Sequence, residues 1–150
     1  MKFLLLLITG ALLMSTNKYT EVRGLRLNNP GNIERNGIGW QGLATDQPDA
    51  RFAKFVSPEY GIRAMGRILN SYAKRGVNTV RTVINTWAPP HENNTGAYVR
   101  HVADRLGVDP DDALSGGLQE RTRLVAAIIR HEQGLQPFSD EFIKQSLQIA

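Results

Sequence analysis

The chain has 150 residues, 41% of them apolar, with 18 Lys and Arg against 14 Asp and Glu for a net charge of +4, and no cysteine. That is enough apolar material for one core without covalent staples. The lack of cysteine excludes a disulfide framework, a cysteine nucleophile and thiolate-held zinc. The positive balance suits an anionic partner such as bacterial cell wall, a membrane surface or nucleic acid. The charges are spread out, however, with no run of five or more alike, which argues against a nucleic-acid arm.

Lys2 precedes an apolar run from Phe3 to Met14. The run is shorter than the roughly 20 residues that span a bilayer. It matches the apolar part of a secretory signal, although no clear small-x-small cleavage pattern follows it. Residues 1–17 are therefore expected to form a signal or signal-anchor segment, and residues 18–150 one domain.

A turn-rich stretch follows over residues 23–50. AsnAsnProGlyAsn (Asn28 to Asn32), GlyIleGlyTrp (Gly37 to Trp40) and AspGlnProAsp (Asp46 to Asp49) mark loops or short hairpins. Short strands are expected near Ile33 and over Phe52 to Val56. From Ser57 the pattern becomes helical. Ser57 and Pro58 suit a helix start, and Ile62, Met65, Leu69 and Tyr72 form one stripe that ends at Gly76. Thr79 caps a second helix carrying Val80, Val83, Ile84 and Trp87, stopped by Pro89 and Pro90. A third runs from Asn94 to Leu106 with Tyr98, Val102 and Leu106 on one face. Asp109 and Pro110 start a short helical turn, Leu118 to Gln133 reads as the longest helix, and Ser139 caps the last one through Phe142, Ile143 and Leu147. The expected fold class is mainly α: five to six helices, with a small irregular or β-hairpin region near residues 28–56.

Glu132 stands out as a candidate catalytic group. With Val125, Ile128 and Ile129 it follows the i, i+3, i+4, i+7 spacing of a core-facing stripe, and Gly134 then stops the helix. A carboxyl in that position has two reasons to hold its proton, burial and the negative end of the helix dipole. A protonated carboxyl is what a general acid needs. The bland alternative is a boundary residue that reaches water or pairs with Arg130 or Arg100. Asn28, Asn29 and Asn32 offer neutral amides to an oligosaccharide, although a Pro-Gly turn with local backbone bonds explains them more simply. Trp40, Trp87 and Tyr98 can stack on sugar faces. Trp87 lies on a helical stripe and reads as core, whereas Trp40 sits in a glycine-rich loop that packing explains less well. His91, His101 and His131 show no metal-ligand spacing, so no metal and no cofactor is expected. Asp140 and Glu141 offer further carboxylates, but after Ser139 they read as the acidic first turn of a helix.

AlaAlaIleIleArgHisGluGlnGlyLeuGlnProPheSer (Ala126 to Ser139) resembles the catalytic-helix motif of lytic transglycosylases and goose-type lysozymes, in which a helix ends in Glu before a short loop. ThrGlyAlaTyrVal (Thr95 to Val99) is similar to their Glu-Thr-x-x-Tyr-Val segment. AsnAsnProGlyAsnIle, TrpGlnGly and PheAlaLysPheValSerProGluTyrGlyIleArgAlaMet resemble the part of bacterial glucosaminidase domains that follows the catalytic helix. They also resemble small phage proteins labelled virion or structural. These patches touch most of residues 23–149. The chain departs from the pattern in three ways. The Glu helix comes last rather than first, as in a circular permutation. Gln133 stands where the family has Ser, and the glycine-leucine-methionine-glutamine loop is absent. Glu21, Glu34 and Glu59 therefore remain fallback acids.

The resemblance implies a lysozyme-like enzyme that cleaves peptidoglycan glycan strands as a lytic transglycosylase or muramidase. Glu132 would be its single acid and base, and Tyr98, Thr95, Asn28, Asn29, Asn32 and Trp40 would line the substrate cleft. The implied setting is phage lysis or entry. The implied partners are peptidoglycan and, through the N-terminal segment, a membrane; no nucleic acid is expected, and a monomer is. The protein would be exported to the periplasm, tethered to the inner membrane or carried in a virion. The alternative is a non-catalytic virion or wall-binding protein of the same shape.

Overall fold

The computed structural model describes residues 19–91 and 93–150, so the expectation for residues 1–17 lies outside the described residues. The fold is mainly α. Its fully described helices are α1 (Arg23–Arg26), α2 (Pro58–Lys74), α3 (Val80–Trp87), α4 (Thr95–Leu106), α5 (Leu118–Gln133) and α6 (Asp140–Leu147). Helix α1 falls inside the stretch expected to be turn-rich, with loops and short hairpins. At 17 residues α2 exceeds the 16 of α5, so α5 is not the longest helix. Asp109 and Pro110 form a turn, closed by Asp112 N–H donating to Asp109 O at 3.2 Å, rather than a turn of helix.

Local chemistry sets three of these helix starts. Thr79 and Thr82 form a reciprocal capping box at α3. The Asn94 side chain accepts from Ala97 N at α4, and Ser139 Oγ accepts from Phe142 N at α6. Asp140 and Glu141 occupy the first turn of α6, where the helix dipole favours acids. Helices α4 and α6 both pack against α5, α3 packs against α4, and α2 packs against α6 and α5. Ile62, Met65, Ile84, Val102, Val125, Ile128, Ile129 and Ile143 are fully buried where these faces meet. Each such side chain contributes roughly 1.5–3 kcal/mol through the surface it removes from water.

Over its described residues, the segment before α2 forms no continuous strand. Among the described residues it makes isolated antiparallel bridges, Glu34 with Phe52 and Leu43 with Phe55. Side chains do the work of a sheet here. The fully buried Asn29 donates from Nδ2 to Ile33 O (2.9 Å) and Ala53 O (2.8 Å), and its Oδ1 accepts from Ile33 N (2.9 Å). Asn28 donates to Phe55 O at 3.0 Å. Asn28 and Asn32 both have left-handed backbones, φ 53° and 51°, a conformation that Asn tolerates better than most residues. Arg23 of α1 grips Asp49 through two hydrogen bonds of 2.6 and 2.7 Å. This contact and two backbone N–H donors hold the Asp49 carboxyl well below the usual carboxylate range.

Candidate functional site

Glu132 lies in the last turn of α5, where Gly134 stops the helix in the left-handed conformation at φ 72°. The stripe before it is buried as expected, but Glu132 itself is only half-buried. Its two carboxylate oxygens have different partners. Oε1 accepts from Tyr98 Oη at 3.0 Å, and Oε2 accepts from Asn32 Nδ2 at 3.0 Å. Tyr98 comes from α4 and is 2% exposed. Burial first, and the Glu132 carboxylate second, push its phenol far above its ordinary value, so Tyr98 remains an O–H donor at any working pH.

Asn32 reaches Glu132 because the loop is tied to the end of α5 at a second point. Gln133 donates from Nε2 to Pro30 O at 2.8 Å and to Asn32 Oδ1 at 3.1 Å. The latter bond fixes which way the Asn32 amide faces. Gly24 of α1 closes the arrangement from the other side. A Cβ there would overlap Asn32 Oδ1 and the Gln133 amide. Gln133 thus positions the loop in this chain.

The other expected cleft residues separate into two groups. Asn29 is fully buried and consumed inside the loop, whereas Asn28 is half-buried and spends one amide hydrogen on Phe55 O. Thr95 is buried, with Oγ1 donating to Ala88 O at 2.8 Å, which holds the turn before α4. The simpler structural explanation for the amide-rich loop applies to Asn28 and Asn29. Asn32 and Trp40, in contrast, line an open groove of about 590 Å³ between the loop, α2 and α3. Its walls also carry Glu34, Arg67, Tyr72, Arg75 and Trp87. Asn32 is thus common to the groove and to the Glu132 cluster, while Glu132 and Tyr98 lie outside the groove wall. Trp87 is half-buried: its ring packs against the core, lies edge-on to Tyr72 at 6.5 Å and also forms part of the groove wall.

The fallback acids sit elsewhere. Glu34 is on the groove wall and pairs with Arg51 at 2.6 Å. Glu59 occupies the first turn of α2, and Glu21 is exposed. Beside Glu132, His131 meets His101 of α4 with their Nδ1 atoms 3.1 Å apart. Arg105 Nε donates to His101 Nε2 at 2.9 Å. Arginine can only donate, so His101 carries its proton on Nδ1 and donates to His131 Nδ1. This pair was not legible from sequence spacing. No group of three or more His, Cys, Asp or Glu that could hold a metal occurs among the described residues. Nor is any described helix long and apolar enough to cross a membrane.

No protein-family model matches the chain. Protein P5 of Pseudoalteromonas phage PM2 is 34% identical over 143 residues, a span covering 93% of this chain and 88% of that protein. The similar protein is thus a bacteriophage protein, and the match runs through the loop, the groove and the Glu132 helix alike. Identity at this level over nearly the full length of both chains places this protein in the family of the phage PM2 Protein P5.

Proposed function

We propose that this protein cleaves the glycan strands of peptidoglycan, with Glu132 as general acid and then general base. The observation that carries this reading is the Glu132 carboxylate, held by Tyr98 and Asn32 from two distant parts of the chain, with Asn32 also forming the wall of an open aromatic groove. Glu132 would give its proton to the glycosidic oxygen as the C1–O bond breaks. The 6-hydroxyl of the same muramoyl residue would attack C1 and return its proton to Glu132, leaving a 1,6-anhydro end. Attack by water instead would leave a reducing end, with the same proton inventory. Tyr98 and Asn32 orient the carboxylate through both steps. Kinship with a phage protein and a net positive charge fit an enzyme exported to, or carried in a virion toward, an anionic wall.

One observation favours a second reading. Both Glu132 oxygens are already bonded within the protein, and Glu132 is not on the groove wall. In that reading the cluster is a brace that locks the loop onto α5, and the protein is a non-catalytic virion or wall-binding component. The deciding experiment treats purified peptidoglycan with the wild type, Glu132→Gln and Glu34→Gln, and weighs the soluble products. Anhydro-muropeptides or reducing-end products from the wild type and Glu34→Gln, but not from Glu132→Gln, support the proposal. Loss of release in Glu34→Gln alone would move the acid to the groove wall. No release by the folded wild type would leave the brace reading.

A further inference from the structure

The groove between the loop, α2 and α3 carries more chemistry than a general acid needs. Arg67 on α2 and Arg75, the residue that caps its C-terminal end, stand about two turns apart with Ser71 between them, and all three line the same wall. Among the described residues Arg67 has no ion-pair or hydrogen-bond partner. Arg75 spends only Nε, on Ser71 O at 3.3 Å, and its guanidinium lies over the Tyr72 ring at 5.3 Å. The one carboxylate on the wall, Glu34, is already paired with Arg51. The groove therefore presents a net positive wall beside the aromatic faces of Trp40, Tyr72 and Trp87. Trp40 adds an unfinished donor: its Nε1–H is buried, and no described atom accepts from it. Trp40 also lines a second, adjoining hollow of about 280 Å³, so the concavity continues past it over the 34–39 loop.

An apolar, aromatic surface with a few placed polar groups is the usual make-up of a ligand site, and aromatic rings suit the apolar faces of sugar rings. Free guanidinium groups suit carboxylates, which accept charge-assisted hydrogen bonds. We infer that this groove binds an amino-sugar chain that carries carboxylate substituents, with Arg67 and Arg75 reading the carboxylates and the aromatic walls taking the sugar faces. The inference rests on the proposed function for the direction of the chain, since a strand in the groove would pass Asn32 on its way to Glu132. It adds the substrate feature that the groove selects: an acidic glycan rather than a neutral one.

The test measures binding to full-length Glu132→Gln, which prevents turnover, and to the same protein carrying Arg67→Gln and Arg75→Gln. Both arginines are exposed, so their replacement leaves the core intact. The probes are a tetrasaccharide of alternating N-acetylglucosamine and N-acetylmuramic acid, neutral chitotetraose, and a single-stranded oligodeoxynucleotide. The expected result is tighter binding of the acidic tetrasaccharide than of chitotetraose. Replacing both arginines then weakens the acidic probe by about tenfold or more, the scale of one lost charge-assisted bond, and leaves chitotetraose unchanged. Equal binding of the two sugars, no binding of either, or oligonucleotide binding with the same arginine dependence overturns the assignment. The two proposals fail separately. Arginine-dependent binding with no cleavage by the wild type upholds the groove and removes the catalytic reading. Cleavage without arginine-dependent discrimination removes the groove assignment and leaves the Glu132 chemistry standing.

Discussion

Tyr98 and Asn29 are both nearly inaccessible, yet the reasons differ, and so do the expected consequences of changing them. Tyr98 buries its ring in the core and spends its hydroxyl on Glu132. Tyr98→Phe keeps the packing and removes one donor from a half-buried carboxylate, so it should cost about 1 kcal/mol of stability. If Glu132 acts as proposed, the same change should lower kcat by about tenfold or more with KM little altered, because orientation of the acid is lost while groove contacts remain. Urea unfolding and steady-state release of muropeptides separate the two effects; an unchanged kcat would show that Tyr98 does not position the acid. Asn29 makes three hydrogen bonds to backbone groups across the loop. Asn29→Ala strands those groups in a dry interior and should cost about 2–4 kcal/mol, read as a lower urea midpoint. A midpoint within error of the wild type would mean that the loop does not depend on this side chain. The amide-rich composition of the loop was legible in the sequence. Which amide faces inward was not, because that depends on Ala53 and Phe55, more than 20 residues further along the chain.

At the scale of elements, most helices were legible because their signals are local. Stripes at helical spacing, Thr79, Asn94 and Ser139 at the starts, and Gly107 and Gly134 at the ends together mark α3 to α6. The expected strands reduced to bridges because only scattered backbone pairs cross the loop, such as Ala53 N–H to Ile33 O and Ala44 N–H to Lys54 O, and the side chains of Asn28, Asn29 and Gln47 satisfy backbone groups between them. The contact between α4 and α5 carries a feature that neither helix displays alone, the His101–His131 pair. Burial first, then Arg105 and Arg130, lower the His101 value from 6.5, with Asp104 opposing; burial and His101 lower that of His131. A histidine whose folded value lies below its unfolded one binds fewer protons in the fold. The unfolded chain takes them up first as pH falls, so stability declines through and below about pH 6.5 and recovers as pH rises. Protonation of His101 at Nε2 also removes its bond from Arg105. Urea midpoints at about pH 7.5 and about pH 5 should therefore differ, and His131→Gln should flatten that difference. A His131→Gln protein with the wild-type pH slope would place the dependence elsewhere.

The whole molecule is closed by contacts that no local pattern announces. Asn32 and Glu132 are separated by 100 residues, and Pro30 and Gln133 by 103. The resemblance brought Asn32 and Glu132 into one hypothesis without joining them, because the pairing depends on α1, the loop and α5 meeting at Gly24. Net charge is legible at once and acts at this same scale. A chain of charge +4, with two arginines on its groove, should be drawn to an anionic wall over distances set by screening. Between about 0.1 M and about 1 M salt the screening length falls from about 10 Å to about 3 Å. Sedimentation of the protein with insoluble peptidoglycan should therefore weaken several-fold over that range, whereas retention on neutral chitin, which relies on the aromatic faces alone, should change little. The Arg67→Gln and Arg75→Gln protein keeps 16 of its 18 basic residues but only half of its net charge, so its wall binding should retain a shallower salt slope while losing affinity. Wall binding that ignores salt would mean that the basic surface does not recruit the protein and that sugar contacts in the groove suffice. A slope abolished by the two groove changes would instead localise the attraction to Arg67 and Arg75.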